Sequence, residues 1–341
     1  MNTRAWVSFW LLGLIWGSSF LLIRIGVAEF KPVELVFIRT SIAAVGLGLV
    51  IFFRRVPVPR QWPVLRTLAI IGVGNVVAPF MLITWGEQTV PSGIAAVLQS
   101  TAALFSLVIA HFAFTDERMN PQKVAGLILG FVGVVVLFSG ELSQEGNSTV
   151  GILGHLAIVI ASLCYAIFTA MGRKVIQGKV EPIFVAFATM TVASLVTLLP
   201  AFFSPARAVM LPAALPNLEL FSRYIVEIQP GFTPLSIIST RVLISVVLLG
   251  VLNTFIAYLF FYFIVRELGA ARAAMVTYVI PPVGVTLGAL LLQETVGITL
   301  LAGAGLIFAG IAIVNLRWFR RAVPVEQTAK VPSSPEAAHR F

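Results

Sequence analysis

The chain contains a faint copy of itself, and each copy holds five long apolar stretches. Four pairs of short motifs recur in the same order. Leu14-Ile15-Trp16-Gly17-Ser18-Ser19-Phe20-Leu21-Leu22-Ile23-Arg24 aligns with Leu163-Cys164-Tyr165-Ala166-Ile167-Phe168-Thr169-Ala170-Met171-Gly172-Arg173. In both, an aromatic precedes an arginine by eight residues. Pro32 and Phe37 align with Pro182 and Phe187. Gly72-Val73-Gly74-Asn75 aligns with Gly250-Val251-Leu252-Asn253, and Phe80 with Tyr258. Glu117, Gly126 and Gly133 align with Glu294, Gly303 and Gly310 at identical spacings. Each pair alone is weak, but their common order is the signature of an internal repeat.

The apolar stretches fall at roughly 6–25, 33–53, 67–86, 91–112, 121–139, 151–171, 182–203, 240–264, 270–292 and 297–316. Most are near the ~20 residues that carry a helix across ~30 Å of hydrocarbon. Hydrophobic residues make up 59% of the 341-residue chain and charged residues 11%, and the mean hydropathy is +1.00. So much apolar surface cannot be hidden from water by a chain of this size, so it must face lipid. Continuous apolar runs exclude a membrane barrel, whose strands would alternate. Five is odd, so a five-span unit ends on the opposite side from its start and its copy is expected upside down. The expected fold is an all-α integral membrane protein, with ten transmembrane helices as two inverted five-helix repeats. The repeats are read as 1–140 and 151–316. Such inverted repeats are the architecture of secondary transporters, with a solute site near the midplane.

Residues 204–238 have no counterpart in the first half. They carry Pro205, Pro212, Pro216, Pro230 and Pro234 among apolar residues such as Leu218 and Phe221. The segment reads either as an extracytoplasmic insert lying on the membrane surface or as a plain linker. The proline-containing tail, 322–341, is expected to be a disordered cytoplasmic segment.

The formal net charge of +9 is distributed as orientation demands. Arg54, Arg55, Arg60 and Arg66 share one connection, Arg173, Lys174 and Lys179 another, and Arg317, Arg320 and Arg321 follow the last span. With ten spans these lie on one side, with Arg4, Arg118, Lys123, Arg266 and Arg272. The intervening connections hold mostly acids, among them Glu29, Glu87 and Glu294. This is the positive-inside pattern, placing both termini in the cytoplasm of a cell whose inner (plasma) membrane holds the chain. The basic balance therefore reports contact with lipid rather than nucleic acid. The first span could pass for a signal peptide, but its counterpart is an internal helix, so it is read as a permanent span. Cys164 is alone, which excludes an intrachain disulfide.

No catalytic constellation is visible. His111, His155 and His339 are scattered, and no Cys/His metal spacing exists, so neither enzyme activity, nor a metal, nor a cofactor is expected. The sharpest single position is Arg39, about seven residues into the second span, or roughly 10 Å of helix. A charge there faces a partner or a cavity. It either binds an anionic group of a solute at the outer rim or forms an ion pair with Glu34 or Glu87, unless it snorkels outward. Arg24 and Arg173 fall near helix ends, where snorkelling is the default. Asn75 and Asn253 lie mid-span, and each either bonds a neighbouring helix or lines a wet cavity. Trp16, Ser19, Trp85, Gln99, Tyr165, Tyr258 and Tyr278 complete the candidate solute site, an aromatic-walled cavity between spans one, three, four, six, eight and nine. Gly126, Gly130, Gly133, Gly303 and Gly310 read as close-packing glycines. Pro79, Pro281 and Pro282 are expected to kink their helices.

One family fits these residues. Gly250-Val251-Leu252-Asn253-Thr254, Ala257-Tyr258-Leu259, Leu268-Gly269-Ala270-Ala271-Arg272-Ala273-Ala274, Pro281-Pro282, Leu292-Gln293-Glu294 and Gly303 to Gly310 resemble the EamA family of the drug/metabolite transporter superfamily. The likeness covers nearly all of the chain outside the insert and tail. Gln293 replaces the family's glycine in its Leu-Gly-Glu ending of helix nine. The resemblance implies ten helices, an inverted repeat, and export or exchange of small metabolites such as amino acids and related compounds. It also supplies the set of helices around the cavity. Two other readings stay open: a passive channel-like facilitator and, furthest off, a lipid-modifying membrane enzyme. The partners expected are a small-molecule substrate and the bilayer, with a homodimer left open. Because Glu34, Glu87, Glu117, Glu267 and Glu294 lie near helix ends and no Asp or Glu lies mid-span, strict proton coupling is expected to be weak or absent, unless Glu87 reaches a half-buried cavity or His111 relays protons.

Overall fold

The structure, a computed structural model, describes residues 3–115, 118–142, 149–176, 180–203 and 231–315. Glu117, the 204–230 part of the insert and the 322–341 tail lie outside the described residues. Within those residues every regular element is helical. Nine helices are long and apolar enough to cross a membrane. They are α1 (Thr3–Gly26), α2 (Pro32–Arg54), α3 (Trp62–Gly86), α4 (Ser92–Ala113), α5 (Pro121–Leu142), α6 (Thr149–Ile176), α7 (Pro182–Phe203), α8 (Thr240–Leu268) and α9 (Arg272–Leu291). A further apolar helix, α10 (Ile298–Asn315), is shorter. The chain is thus a multi-pass membrane protein. Its outward faces carry Phe52, Phe53, Phe112 and Ile298 at 75–81% exposure, apolar surface of the kind that faces lipid.

Local chemistry starts and stops these helices. Proline opens α2, α5 and α7, where its missing N–H and fixed φ cost nothing. The Glu34 carboxylate reaches back to the Lys31 N–H, 3.0 Å away, closing the first turn of α2. The α8–α9 link turns on Gly269 at φ 85°, a backbone conformation that side chains rarely adopt.

Two helices widen at matched places. Both α3, over Val73–Val77, and α8, over Val251–Ile256, make a π turn with an asparagine third in it, Asn75 and Asn253. In α3 the wide turn precedes Pro79, which has no N–H to give to the preceding turn. In α8 no proline intervenes; the Thr254 hydroxyl donates to the Leu249 carbonyl at 2.8 Å. Two more helices break at matched places. Helix α4 restarts at Ser100, whose hydroxyl donates to Val97 C=O at 2.6 Å. Helix α9 tightens to a 3₁₀ turn over Met275–Tyr278, where Thr277 donates to Ala274 C=O at 2.8 Å before Pro281-Pro282.

Close packing follows the glycines. A Cβ on Gly133 of α5 would sit 2.7 Å from the Gly303 carbonyl and 2.8 Å from the Ile307 N–H of α10, and Gly126 abuts Gly310 in the same way. With no side chains between them the two backbones approach directly, which is how helices gain dispersion energy in lipid. Gly13 and Gly17 seat α1 against Val279 and Val283 of α9. Ser41 and Ser194 share a 2.7 Å hydrogen bond between α2 and α7. The described end of the insert docks rather than trailing away: Phe232 stacks on Phe37 at 5.5 Å, and Gly231 N–H donates to Phe202 C=O at 2.7 Å.

Candidate functional site

The inward faces of α1, α2, α3, α4, α6 and α8 bring most of the polar candidates together. Arg39 of α2 is 5% exposed. Its guanidinium lies 3.3–3.4 Å from the Thr254 hydroxyl of α8 and 3.9 Å over the Phe80 ring of α3. The positive charge thus rests on an aromatic face, an attraction that strengthens when water is absent. Tyr165 of α6, Tyr258 of α8 and Glu87 lie within its electrostatic reach. No carboxylate lies within ion-pair distance of Arg39 among the described residues. The Glu34 partner considered from sequence is engaged elsewhere: it pairs with Lys31 at 3.3 Å and accepts from Thr233 N–H and Oγ1 at 2.7 and 2.6 Å.

Tyr165 straddles the two largest apolar clusters, and the Gln99 side chain of α4 faces its hydroxyl. Gln99 Oε1 is buried without a hydrogen-bond partner. Tyr258 packs beside Tyr262 with ring centroids 6.1 Å apart.

Asn253, 1% exposed, is the best-bonded of the candidates. Its Nδ2 donates to Ser18 Oγ and Ser19 Oγ, each at 3.0 Å, and to the Ile15 carbonyl, all on α1. Its Oδ1 is buried without a partner. Asn75 is half-buried and accepts from Thr169 Oγ1 of α6 at 3.3 Å. Each asparagine therefore bonds the opening helix of the other half. Of the two roles open for them, bonding between helices is the one observed.

Trp16 is half-buried, 5.5 Å from Phe261. Tyr278 is half-buried in the 3₁₀ turn of α9, against the main core. Trp85 stands apart: it is 39% exposed, while Phe80, Ile83 and Thr84 turn the other face of α3 inward. Thr254 and Phe80, the two groups touching the Arg39 guanidinium, were not candidates from sequence. Thr254 adjoins Asn253, and Phe80 is the repeat partner of Tyr258, so both signals were present in the paired motifs.

At one end of the bundle a set of charges closes over this cluster. Arg24 donates to the Glu87 carbonyl rather than snorkelling. Glu294 caps α4, accepting from Ser92 N–H at 2.8 Å and Gly93 N–H at 3.0 Å, where a helix N-terminus favours negative charge. Glu29 accepts from Ser239 N–H at 2.6 Å. Glu87 follows α3, is fully buried, and has no hydrogen-bond partner for either carboxyl oxygen. Burial pushes this carboxyl well above the usual carboxylate range; Glu294 adds to the rise, and Arg24 and Arg39 oppose it. Glu87 is thus enclosed although it stands at a helix end. At the other end Arg173 lies over the Phe114 ring at 4.3 Å, and His111 Nδ1 accepts from Met119 N–H at 3.1 Å. Among the described residues no three His, Cys, Asp or Glu side chains group as metal ligands.

The described residues form an all-helical membrane bundle with a buried arginine, tyrosines and amides among its inward faces. The chain belongs to the EamA-like transporter family, which it matches over residues 4–139 and 152–316. It is 27% identical over 312 residues to an uncharacterized transporter of Archaeoglobus fulgidus, covering 91% of this chain and 98% of that one. It is 28% identical over 322 residues to a probable amino-acid metabolite efflux pump of Salmonella typhimurium, covering 94% and 96%. It is 27% identical over 326 residues to the uncharacterized inner membrane transporter YedA of Escherichia coli, covering 92% of each. A solved structure described only as a crystal structure of a protein shares the fold with a TM-score of 0.60 at 19% identity, covering 92% of this chain and 97% of that one.

Proposed function

We propose that the protein is a secondary transporter of the plasma (inner) membrane that exports or exchanges a small organic metabolite, an amino acid or a related compound, by alternating access. In this reading α10 is the tenth span, both termini are cytoplasmic, and 1–140 and 151–316 are inverted repeats. The paired π turns of α3 and α8 support the repeat, as do the paired breaks at Ser100 and Thr277.

The observation that carries the substrate class is Arg39. Among the described residues the buried guanidinium is held by a hydroxyl and a ring and has no carboxylate at ion-pair distance, the counter-charge that such groups nearly always have inside a membrane. A carboxylate on the solute supplies it. Phe80, Tyr165 and Tyr258 around it suit an apolar or aromatic body. The π turns place backbone carbonyls off the regular ladder at mid-helix, where a two-state bend is easiest. The relative named as an amino-acid metabolite efflux pump points to the same class.

The test is flux of labelled amino acids into proteoliposomes preloaded with the unlabelled compound. Saturable counterflow of at least one apolar or aromatic amino acid is expected. Flux that is linear in concentration for every solute would instead mark a passive pore.

A further inference from the structure

Glu87 is the strongest unexplained group in the molecule. It sits where α3 ends, its side chain is fully enclosed, and both carboxyl oxygens lack a hydrogen-bond donor. An ionised carboxylate in that position would be charged, dry and unbonded, the costliest state available to an acidic side chain. The charged groups facing it come from three elements: Arg24 of α1, Arg39 of α2, and Glu294 beyond α9. Arg24 is spent on the backbone carbonyl of Glu87 itself. Glu294 is spent on the N-terminus of α4. From α6, which packs along α3 through Gly86 and Gly154, the titratable group at this end is His155, whose Nδ1 pairs with Gly151 C=O at 2.8 Å. None of these neighbours bonds the Glu87 carboxyl.

We propose that Glu87 is an exchangeable proton site of the transport cycle, filled while the bundle is closed over a bound solute and open to exchange with water on whichever side the bundle opens. The inference rests on the transporter reading above and adds energy coupling to it. The closed end is held by contacts between polar groups rather than by apolar packing alone: Arg24 on Glu87 C=O, Glu294 on Ser92 and Gly93, and Lys31 with Glu34 on Gly231 and Thr233. Separating them admits water to Glu87. Hydration then favours its ionised form, and the proton leaves to the bulk on that side. Closing over a solute carboxylate at Arg39 requires a proton to return, because the dry pocket offers the Glu87 carboxylate no donor, whereas in the empty form the charge of Arg39 is left to balance an ionised Glu87. Because Arg39 lies within electrostatic reach of Glu87, a carboxylate bound at Arg39 and an ionised Glu87 disfavour each other. The proton and the solute are thereby linked through one charge balance.

The experiment uses the full chain and two readouts. Difference infrared spectra between acid and alkaline buffer report neutral carboxyl groups directly. Wild type is expected to show a neutral-carboxyl band persisting above the pH at which ordinary glutamates ionise, absent in Glu87→Gln and shifted in Glu87→Asp. In proteoliposomes at zero membrane potential, labelled L-phenylalanine is the probe and an entrapped pH dye reads protons. Wild type is expected to move protons with phenylalanine. In Glu87→Gln the protons moved per phenylalanine should fall to the background of empty liposomes, and Glu87→Asp should restore them in part. Phenylalanine flux in wild type without proton movement, or the same infrared band in wild type and Glu87→Gln, overturns the proton site and leaves the transporter standing. The band without flux of phenylalanine or any other amino acid upholds the proton on Glu87 and rejects the transport reading instead.

Discussion

Asn253 on α8 donates to the hydroxyl of Ser19 on α1 at 3.0 Å. Asn75 on α3, its counterpart in the paired sequence motifs, accepts from Thr169 on α6 at 3.3 Å. In each case an amide in a π turn reaches across to the helix that opens the other half. The wide turn is what makes this possible, because the extra residue rotates the asparagine off the regular face of its own helix. The two halves are therefore tied by polar bonds at the places where their helices are least regular.

Asn253→Leu should lower stability more than Asn75→Leu. The first removes donation to three α1 acceptors and buries a bulkier group among Ser18, Ser19 and Ile15; the second removes one bond at a half-buried site. Interhelical hydrogen bonds in membranes average roughly 0.6 kcal/mol and reach about 1.7. Melting of the detergent-solubilised proteins should rank wild type above the Asn75 variant and that above the Asn253 variant. The reverse order would mean that the α8–α1 tie is not structural.

Gly133→Leu should separate α5 from α10. Its Cβ alone would meet the Gly303 carbonyl at 2.7 Å, which is backbone and cannot move aside as a side chain would. Overpacking of this kind costs roughly 1–3 kcal/mol. A variant as stable as wild type would show that these helices do not depend on glycine contact. Gly305, with nothing within 4 Å of an added Cβ, is the control, and Gly305→Ala should melt with wild type.

Glu87 makes stability depend on pH in a definite sense. Its folded carboxyl holds a proton well above the usual range, so the folded state binds more protons than the unfolded one. The stability this contributes is full below the ordinary glutamate value of about 4.3 and is lost as pH rises through the raised folded value. Glu87→Gln has no such loss. Its melting temperature should match wild type in acid and exceed it increasingly toward alkaline pH, by ~1–2 °C for each kcal/mol of carboxylate burial in a chain of this length. A gap that stays constant or closes with rising pH contradicts this.

Much of the fold could be read from the amino acids because helices in lipid must satisfy their own backbone. Every apolar stretch of the expected length became a helix, and the Gly126/Gly133 and Gly303/Gly310 pairs pack as their spacing implied. The π turns were not foreseen. Hydrophobic periodicity carries no trace of one extra residue, and only the paired Gly-Val-Gly-Asn and Gly-Val-Leu-Asn motifs marked the place. For Arg39, Tyr165, Asn253 and Tyr258, residue type and depth pointed to groups that the structure places on inward faces of the bundle. Trp85 shows the limit of that method: depth along a helix says nothing about which face a side chain takes, and its face is exposed. Glu87 shows the other limit. Position at a helix end left open whether its carboxyl is solvated or reaches a half-buried cavity, and the structure buries it beside the Arg24 contact to its carbonyl.

Orientation is open to a direct check. In a background with Cys164→Ala, a cysteine at Arg60 should be labelled by a membrane-impermeant maleimide only after the cell is opened, and a cysteine at Thr295 in intact cells. Both positions are exposed. Labelling of both from one side would contradict the positive-inside topology.

The central claim is that Arg39 receives the solute's carboxylate, and competition in counterflow tests it most directly. L-phenylalanine and L-phenylalaninamide differ in that one group. In wild-type proteoliposomes, unlabelled phenylalanine should compete with labelled phenylalanine far better than the amide does, by a factor of ~10 or more if the buried charge pair contributes the ~1.4 kcal/mol that a tenfold change requires. In Arg39→Gln, which keeps a donor but no charge, that preference should shrink toward equality while Thr254 and Phe80 remain in place. An amide that competes as well as the acid in wild type, or a preference unchanged in Arg39→Gln, would contradict the account.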